Sequence, residues 1–443
     1  MSLSRSVGAA TTVAVLGVSA LAVAERARPQ RDAGVVDVRS KAQQRSKVVA
    51  RLEQNESVEV VRERKGWKYV RLDNGLTGWV KGEKLAEVAP AATLRTSRVA
   101  GSKDVPPRPV AYGDYRIYMF DMGTGLSVLV QGTEFTLLYD GGSIDGKEVP
   151  DRLLAYLFAT VGPSGGDGCV PGGDDWNAEP STLRIDHLIL SHAAREHASA
   201  LPRVMECYSV ANVWDQGVGS GDGEGAESKS YTAFLEAVAA EQGVSYHTYA
   251  APDANARLTI GSRQVPLQGS WVRFSEGGFA VLDDVAGFTV LDSGVEAQDP
   301  SSIVIRVDLG GASMLLTGDA DSGRSGRPDD PPDGAEKRLV AQHSRAIDVD
   351  ILQVGHHGSD TGTRTAFVDV VSPSILLLSA GPYDMTSARA PSEEVVDALA
   401  KTGATLLRTD VHDSGPCDDW DHVGDDVRGP GGCDAYLIEV DNP

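Results

Sequence analysis

The sequence predicts a mixed α/β domain preceded by a small all-β domain, and three observations support this. Residues 34–88 alternate apolar and polar residues in short runs separated by turns such as Asp73-Asn74-Gly75, which is typical of antiparallel strands. Residues 89–112 are rich in alanine, serine, proline and arginine, which indicates a linker. From residue 113 to 443, strand patterns alternate with helix patterns, which favours a layered α/β fold.

The α/β region contains segments of two hydrophobic periodicities. Strands are predicted at 115–120, 126–131, 135–139, 187–190, 303–308, 313–316, 351–354, 375–378 and 436–440. Helices are predicted at 149–160, 231–241, 336–343 and 392–402.

Residues 1–24 have the pattern of a secretory signal peptide. Arg5 precedes a small, apolar run over 7–23, and Ala22-Val23-Ala24 is a suitable cleavage site. An uncleaved membrane anchor is the alternative, because the run is close to the shortest length that spans a bilayer. Either way, we expect an exported protein that is periplasmic or extracellular.

The four cysteines are Cys169, Cys207, Cys417 and Cys433. Export makes disulfides permissible. Cys417 and Cys433 close a short acidic loop and are the favoured pair, with Cys169 and Cys207 as the second choice. Four cysteines allow three pairings, so the sequence alone leaves the connectivity open.

The chain is strongly acidic, with a formal net charge of −22 and a pI of about 4.8. Such a chain repels polyanions on average, so we expect no strong nucleic-acid surface and no broad anionic-membrane surface. A local metal site could still hold one phosphate group.

Five side chains are candidates for a metal site. His192, Glu196 and His197 follow an apolar run, Asp319 ends the run 314–318, and His356 follows the predicted strand 351–354. Imidazole and carboxylate are the ligands of zinc hydrolases, and strand ends can converge in one cleft. Each of the five also has an ordinary structural interpretation, as a turn residue or a helix cap.

The first domain resembles the bacterial SH3 family. The motifs that carry this resemblance are Val38-Arg39-Ser40, Trp67-Lys68-Tyr69-Val70 and Gly75-Leu76-Thr77-Gly78-Trp79-Val80. The resemblance implies a small barrel that binds cell-wall glycan, peptide or protein. The aromatic rings can equally belong to the barrel core or rim.

The region from about residue 115 onward resembles the metallo-β-lactamase superfamily, and in particular the hydrolase domain of competence-type DNA-uptake proteins. Its motifs are Phe120-Asp121-Met122-Gly123-Thr124-Gly125, Leu138-Tyr139-Asp140-Gly141-Gly142, Leu316-Thr317-Gly318-Asp319-Ala320 and Val354-Gly355-His356-His357-Gly358-Ser359. The resemblance implies an αββα sandwich with its site at one edge of the sheets.

The chain departs from that family pattern at three positions. The family turn is His-x-His-x-Asp-His, whereas this chain has Ala194 at the third place and Glu196 at the fifth, and Ala390 replaces a later histidine. Alanine has no ligand atom, so the first metal position of the family should be weakened or lost. The second ligand set, Glu196, His197, Asp319 and His356, is chemically complete.

The resemblance therefore implies a reduced site that holds one zinc ion rather than two, with manganese or iron as alternatives. His192 would be a residual ligand or would orient the attacking water, and His192 and Glu196 are the candidate catalytic residues.

Two functions fit these observations. The first is an exported metal-dependent hydrolase that acts on a small phosphoester, a phosphodiester or another ester. The second is a catalytically degenerate envelope module that binds cell wall or a protein partner through the SH3-like domain. Asp319 and the 354–359 motif favour the first, and the substitutions at 194, 196 and 390 favour the second.

Overall fold

The computed structural model describes residues 26–29, 34–52, 56, 58–72, 74–87, 91–99, 104–107, 110–144, 149–162, 169, 184–217, 229–249, 257–295, 302–381, 390–410 and 435–443. The chain divides into two compact units, residues 1–88 and 89–443. The predicted signal peptide and the predicted Cys417–Cys433 pair lie outside the described residues. None of the helices in the described ranges has the length and apolar character needed to span a membrane.

The first unit is an antiparallel β-sheet of seven strands, as its alternating sequence predicts. The strands are β1 (Arg26–Pro29), β2 (Val36–Arg39), β3 (Val48–Leu52), β4 (Val58–Arg64), β5 (Trp67–Arg71), β6 (Thr77–Lys81) and β7 (Leu85–Glu87). Their order in the sheet is β3-β2-β6-β5-β4-β1-β7. One face of the alternation is buried, with Val36 and Val38 of β2 packed against Val58 and Val70. The all-β character of this unit is confirmed.

The second unit contains two large sheets and a separate hairpin. The first sheet has nine strands: β8 (Thr93–Val99), β9 (Tyr115–Met119), β10 (Val128–Gln131), β11 (Thr136–Tyr139), β12 (Arg184–Ile189), β13 (Ser209–Asp215), β14 (Ser245–Thr248), β17 (Ser270–Arg273) and β25 (Ala435–Asp441). Their order is β17-β14-β13-β12-β11-β10-β9-β25-β8. The hairpin consists of β15 (Arg257–Ile260) and β16 (Arg263–Pro266).

The second sheet has seven strands in sequential order. They are β18 (Phe279–Val281), β19 (Ala286–Asp292), β20 (Val304–Leu309), β21 (Ala312–Leu316), β22 (Ile351–Gln353), β23 (Ile375–Leu378) and β24 (Thr405–Arg408). The strands from β21 to β24 are parallel, and parallel strands need crossover connections, which helices provide.

The helices form the two outer layers. They are α1 (Val149–Thr160), α2 (Arg195–Ala198), α3 (Leu201–Cys207), α4 (Lys229–Ala240), α5 (Gly334–His343), α6 (Thr365–Val371) and α7 (Glu393–Ala400). One core cluster joins α1, α3 and α4 to the first sheet, a second lies between the sheets, and a third joins α5, α6 and α7 to the second sheet. The layers are therefore α, β, β and α, as the family resemblance implies.

The prediction of a linker over residues 89–112 requires a correction. Strand β8 lies inside that segment and pairs with β25 over seven residues of each strand, from Thr93 with Asp441 to Val99 with Ala435. Strand β8 is at the edge of the sheet and most of its side chains are exposed. An exposed edge strand has a polar composition, which is why the sequence resembled a linker.

A disulfide joins Cys169 to Cys207, with their Cα atoms 5.4 Å apart. This pairing was the second choice predicted from the sequence. Cys207 is the last residue of α3, and both cysteines belong to the core cluster beneath the helices of the first sheet.

Candidate metal centre

The candidate centre lies where the carboxyl ends of the central strands of both sheets meet. His192 and His197 follow β12 in the first sheet, and Asp319 and His356 follow β21 and β22 in the second. Hydrogen bonds hold the sheets together here, since the Tyr139 hydroxyl donates to the carbonyl oxygen of Ile303 at 2.6 Å. The ends of parallel strands place polar side chains at a common edge, so this is where a cleft is expected.

His192, His197 and Asp319 form the group that could hold a metal ion. One ligand atom from each residue lies within 4.8 Å of the other two. The Nε2 atom of His197 is 3.1 Å from Oδ2 of Asp319, and Nε2 of His192 is 3.9 Å from the same oxygen. Two imidazoles and one carboxylate are a ligand set that suits zinc and related ions.

His357 adds a second reason to infer a cation at this place. Its Nδ1 atom is 2.9 Å from the carbonyl oxygen of Ser379, which can only accept, so Nδ1 carries the proton. Burial lowers the pKa of His357, so its Nε2 presents a lone pair. That atom lies 3.6 Å from Oδ1 of Asp319, and both atoms are buried and have no hydrogen-bond partner among the described residues. Two facing acceptors without a donor are unfavourable unless a cation lies near them, so these residues fit a metal ion.

His356 is held by a different set of contacts. Its Nδ1 atom is 2.7 Å from the Asp321 carboxylate and 2.7 Å from the Thr361 hydroxyl, and its Nε2 atom is 4.0 Å from Oδ2 of Asp319. Burial opposes the charged imidazole, but the carboxylates of Asp319 and Asp321 outweigh burial and raise the pKa of His356 to about 9.

The charges around Asp319 are strongly coupled. Burial opposes its ionisation, yet the positive charge of His197 holds the pKa of Asp319 well below its usual value. Burial also opposes protonation of His197, but Asp319 and Asp140 outweigh it and hold the pKa of His197 well above its usual value. A metal ion that binds Nε2 of His197 would displace the proton on that atom. Burial lowers the pKa of His192 to about 3, and the nearby positive charge of His197 contributes. His192 is therefore neutral at pH 7, the form that binds metal ions.

A buried hydrogen-bond network orients the ligand side chains. The Nδ1 atom of His197 is 2.8 Å from Oδ2 of Asp140, while Oδ1 of Asp140 accepts from the backbone N–H of Ser191 at 2.7 Å. The Ser302 hydroxyl accepts from the backbone N–H of Asp319 at 2.7 Å and lies 3.3 Å from Nδ1 of His192. Contacts of this kind fix the orientation of metal-binding histidines.

Gly318 allows the two sheets to approach each other beside Asp319. Its φ is +56°, and a Cβ atom there would lie 2.5 Å from Oγ of Ser302 and 2.8 Å from Cβ of Ser191. Any other residue would be strained in backbone conformation and would collide with both serines. The position therefore requires glycine.

Three of the five predicted ligands, His192, His197 and Asp319, form the candidate group, and His356 lies beside it with its Nε2 atom 4.0 Å from Oδ2 of Asp319. Glu196 is partly exposed in the first turn of α2 and is not in the candidate group of His192, His197 and Asp319. Ala194, also partly exposed, precedes α2 in an extended conformation. His357 was not among the residues predicted from sequence, although the doublet His356-His357 gave a signal for it.

The sandwich of two sheets, the two helical layers and this cluster at the strand ends define a metallo-β-lactamase-fold protein with an additional N-terminal β unit. Residues 34–86 match the family described as Bacterial SH3 domain, which confirms that resemblance.

Among curated proteins, the chain is similar to Competence protein ComA of Neisseria gonorrhoeae, with 25% identity over 313 residues, 71% of this chain and 33% of that protein. It is also similar to Recombination protein 2 of Haemophilus influenzae, with 36% identity over 299 residues, 67% of this chain and 28% of that protein. These relatives confirm the resemblance to competence-type proteins. The matches span about a third or less of the length of the relatives.

Among solved structures, the chain is similar to the metallo-β-lactamase fold protein YhfI of Bacillus subtilis. The identity is 14% and the TM-score 0.34, over 66% of this chain and 95% of that one. The zinc-bound PqqB of Methylobacterium extorquens is also similar, with 11% identity and a TM-score of 0.32 over 65% of this chain and 85% of that one.

Proposed function

We propose that this protein is an exported, metal-dependent hydrolase of the metallo-β-lactamase fold that cleaves a phosphodiester or another ester. The observation that carries the proposal is the convergence of His192, His197 and His357 on Asp319. A purely structural cluster would be expected to satisfy its buried polar atoms internally. Here Oδ1 of Asp319 and Nε2 of His357 lack a partner within the described part of the chain.

The residues of the centre have separable roles in this proposal. His192, His197 and Asp319 would hold the ion, which would act as a Lewis acid toward a phosphoryl or carbonyl oxygen and would activate water for attack. Asp140 keeps the ring of His197 in place through its Nδ1 atom. His356, whose Nε2 atom lies 4.0 Å from Oδ2 of Asp319, borders the centre and would contact an anionic substrate or its leaving group.

One zinc ion fits the centre better than two. Ala194 provides no ligand atom where the resembled family has a histidine, and Ala390 provides none at the later position. Glu196 is not in the three-residue group. Manganese or iron would be bound by the same ligand types.

Export is part of the proposal. The sequence of residues 1–24 has the pattern of a signal peptide, and the bacterial SH3 match together with the competence-protein relatives supports an envelope-associated protein.

The test combines metal content with hydrolysis. We would purify the mature protein and the variant Asp319→Asn, measure their metals by elemental analysis, and assay bis(p-nitrophenyl) phosphate and p-nitrophenyl acetate. Asp333→Asn is the matched control, because Asp333 is a partly exposed carboxylate at the start of α5 that pairs with Arg324 and Lys337 and is not in the candidate group. We expect about one zinc-class ion per chain, and we expect Asp319→Asn to lose both metal and hydrolysis while the control keeps both. Absence of bound metal after reconstitution would overturn the proposal.

A degenerate envelope module is the second candidate. The alanines at 194 and 390 favour it, because both stand where the resembled family has ligands. This candidate predicts a stably folded protein without metal or hydrolysis, in which the SH3-like unit carries the function by binding cell-wall glycan or peptide.

A further inference from the structure

The excess of acidic residues is not spread evenly along the chain. The whole sequence has 41 lysine and arginine residues against 63 aspartate and glutamate residues. Residues 34–87, which form most of the first unit, have twelve lysine and arginine residues against eight acidic ones. The SH3-like unit is therefore basic within an acidic protein, and the net charge of the whole chain does not exclude anionic ligands for this unit.

Two cross-strand rows on β4, β5 and β6 combine cations with aromatic rings. In the first row, Arg62 pairs with Tyr69 and Tyr69 pairs with Trp79. In the second row, Arg64 pairs with Trp67 and Trp67 pairs with Lys81. Directly paired residues project on the same side of a sheet, as do alternate residues along a strand. All six side chains therefore share one face.

A shift in strand register places the arginines on this face. The pairing of β4 with β5 shifts between Val60 and Arg62, which is the mark of a β-bulge. Val58 and Val60 are buried in the core, whereas Arg62 and Arg64 are exposed. The Arg62 guanidinium lies 4.7 Å from the ring centre of Tyr69 and 5.4 Å from that of Trp79.

Two adjoining cavities lie along this face and share Trp67. The larger is about 570 Å³ and is lined by Lys41, Ala42, Gln43, Arg64, Lys65, Trp67 and Trp79. The smaller is about 240 Å³ and is lined by Val35, Val36, Asp37, Arg39, Gln44, Trp67, Lys81 and Lys84. We call the two together the Trp67 cleft. A ligand that occupies both cavities must cross the partly exposed ring of Trp67.

Several cations of the Trp67 cleft are available to a ligand. Its one acidic residue, Asp37, is paired with Arg39 at 2.6 Å. Lys81 is paired with Glu83. The side chains of Lys41, Arg64, Lys65 and Lys84 make no ion pair within the residues that the structure describes. Each can therefore approach a phosphate group without first breaking an ion pair.

We propose that the Trp67 cleft binds single-stranded nucleic acid. Proteins that bind single strands combine a positively charged groove for the backbone with aromatic rings on which bases stack. The Trp67 cleft has both features, with Trp67 between two groups of cations. A duplex would offer phosphates but keep its bases stacked on one another, so it would not use the ring. Use of the bound strand as a substrate by the metal centre rests on the proposed function. Binding of the strand to the Trp67 cleft does not.

Binding is measured on the full mature protein by fluorescence anisotropy of a labelled thymidylate 20-mer. EDTA is present throughout, so that hydrolysis does not contribute and a failure of the metal centre leaves the result unchanged. The test variant is Lys41→Gln/Lys65→Gln. The control is Arg45→Gln/Lys47→Gln, which removes the same charge from exposed residues of the same unit outside the cleft. A third variant, Trp67→Ala, removes the ring, and Trp67→Phe keeps an aromatic surface.

We expect the wild type to bind the 20-mer more tightly than a duplex of equal length. The plot of log affinity against log salt concentration has a negative slope, to which each neutralised phosphate of a single strand contributes about 0.7. Removing Lys41 and Lys65 should therefore make this slope less steep by about 1.4. Trp67→Ala should weaken binding about tenfold and leave the slope unchanged, while Trp67→Phe keeps most of the affinity.

Three results would overturn the proposal. They are no binding of the 20-mer at low salt, an equal loss in the Arg45→Gln/Lys47→Gln control, and tighter binding of the duplex. Poly(glycerol phosphate) and unlabelled 20-mer are also compared as competitors of the labelled 20-mer. If the polymer displaces the labelled strand at a lower phosphate concentration than the unlabelled 20-mer does, the cleft belongs to an anionic wall polymer instead.

Discussion

The Nδ1 atom of His197 lies 2.8 Å from a carboxylate oxygen of Asp140, and both side chains are completely buried. Asp140 directly follows β11, and its other carboxylate oxygen accepts a hydrogen bond from the backbone N–H of Ser191. This aspartate therefore connects the strand end, the turn after β12 and a candidate ligand.

Replacing Asp140 by asparagine should weaken metal binding without removing a ligand. The variant keeps the shape of the side chain but loses the negative charge that polarises His197. Loss of such a supporting contact typically lowers metal affinity by about 10- to 100-fold. Competition with a chromogenic chelator measures the affinity. Asp350→Asn is the control, because Asp350 also accepts a backbone N–H, that of Ser313 at 2.8 Å, but is not in the candidate group. Equal affinities for Asp140→Asn and wild type would contradict the assigned role.

Introducing histidine at position 194 should raise the number of bound ions from one toward two. Ala194 has φ −74° and ψ 154°, a conformation open to any residue, and it is partly exposed. A histidine there restores the ligand type that the family pattern has at this place. Elemental analysis after reconstitution counts the ions, with Arg195→His as the control for an extra imidazole one residue away. An unchanged count in Ala194→His would count against a merely reduced site.

Glu336 should make stability depend on pH. Burial raises the pKa of Glu336 from 4.5 to about 7. The pKa of Glu336 is higher in the folded protein than in the unfolded chain. The contribution of protonated Glu336 to the free energy of unfolding is therefore complete below pH 4.5 and is lost as the pH rises through 7. The loss is about 3 kcal/mol at most, at 1.36 kcal/mol per pKa unit. Glu336→Gln removes this dependence, so its stability relative to wild type should rise by that amount between pH 4.5 and 7.5.

Urea unfolding of both proteins across this pH range provides the measurement. Glu393→Gln, at an exposed position in the first turn of α7, is the control and should follow the wild type. If the wild-type and Glu336→Gln stabilities run parallel with pH, the interpretation of Glu336 is wrong.

The disulfide should stabilise the second unit substantially. Cys169 and Cys207 are 38 residues apart, and closing a loop of this length in the unfolded chain is worth about 4 kcal/mol in the chain-entropy treatment. The variant Cys169→Ser/Cys207→Ser should therefore unfold at a lower urea concentration than the wild type. Wild-type protein treated with a reductant should move in the same direction. A double variant as stable as the oxidised wild type would show that the bond contributes little.

Much of the fold around the centre was predictable from local patterns. Strands β9, β11, β20, β21 and β22 lie within one or two residues of their predicted bounds, because they are short, apolar and followed by glycine or polar residues. Strands β15 and β16 were not predicted. Strand β15 alternates over only four residues, and β16 is mostly exposed and polar. Strand β8 resembled a linker because most of its side chains are exposed.

The candidate site was less predictable, because it depends on backbone conformation. His356, His357 and Gly358 all have positive φ, at 48°, 52° and 69°. This run of left-handed residues decides which imidazole nitrogens face Asp319, and two adjacent histidines give no indication of it in sequence. Each such non-glycine residue costs about 1 kcal/mol or more. The rows of the Trp67 cleft were hidden in the same way, since the bulge in β4 reverses the expected alternation.

Strand β25 has a consequence for how this protein reaches its mature form. It lies between β8 and β9, and its Glu439 contacts Arg95, 344 residues earlier in the chain. Strand β8 therefore cannot join the first sheet until the chain has been synthesised through residue 441, although the other seven strands can pair before then. Pairings so distant in sequence form slowly, so we expect this edge to be the last part of the sheet to form.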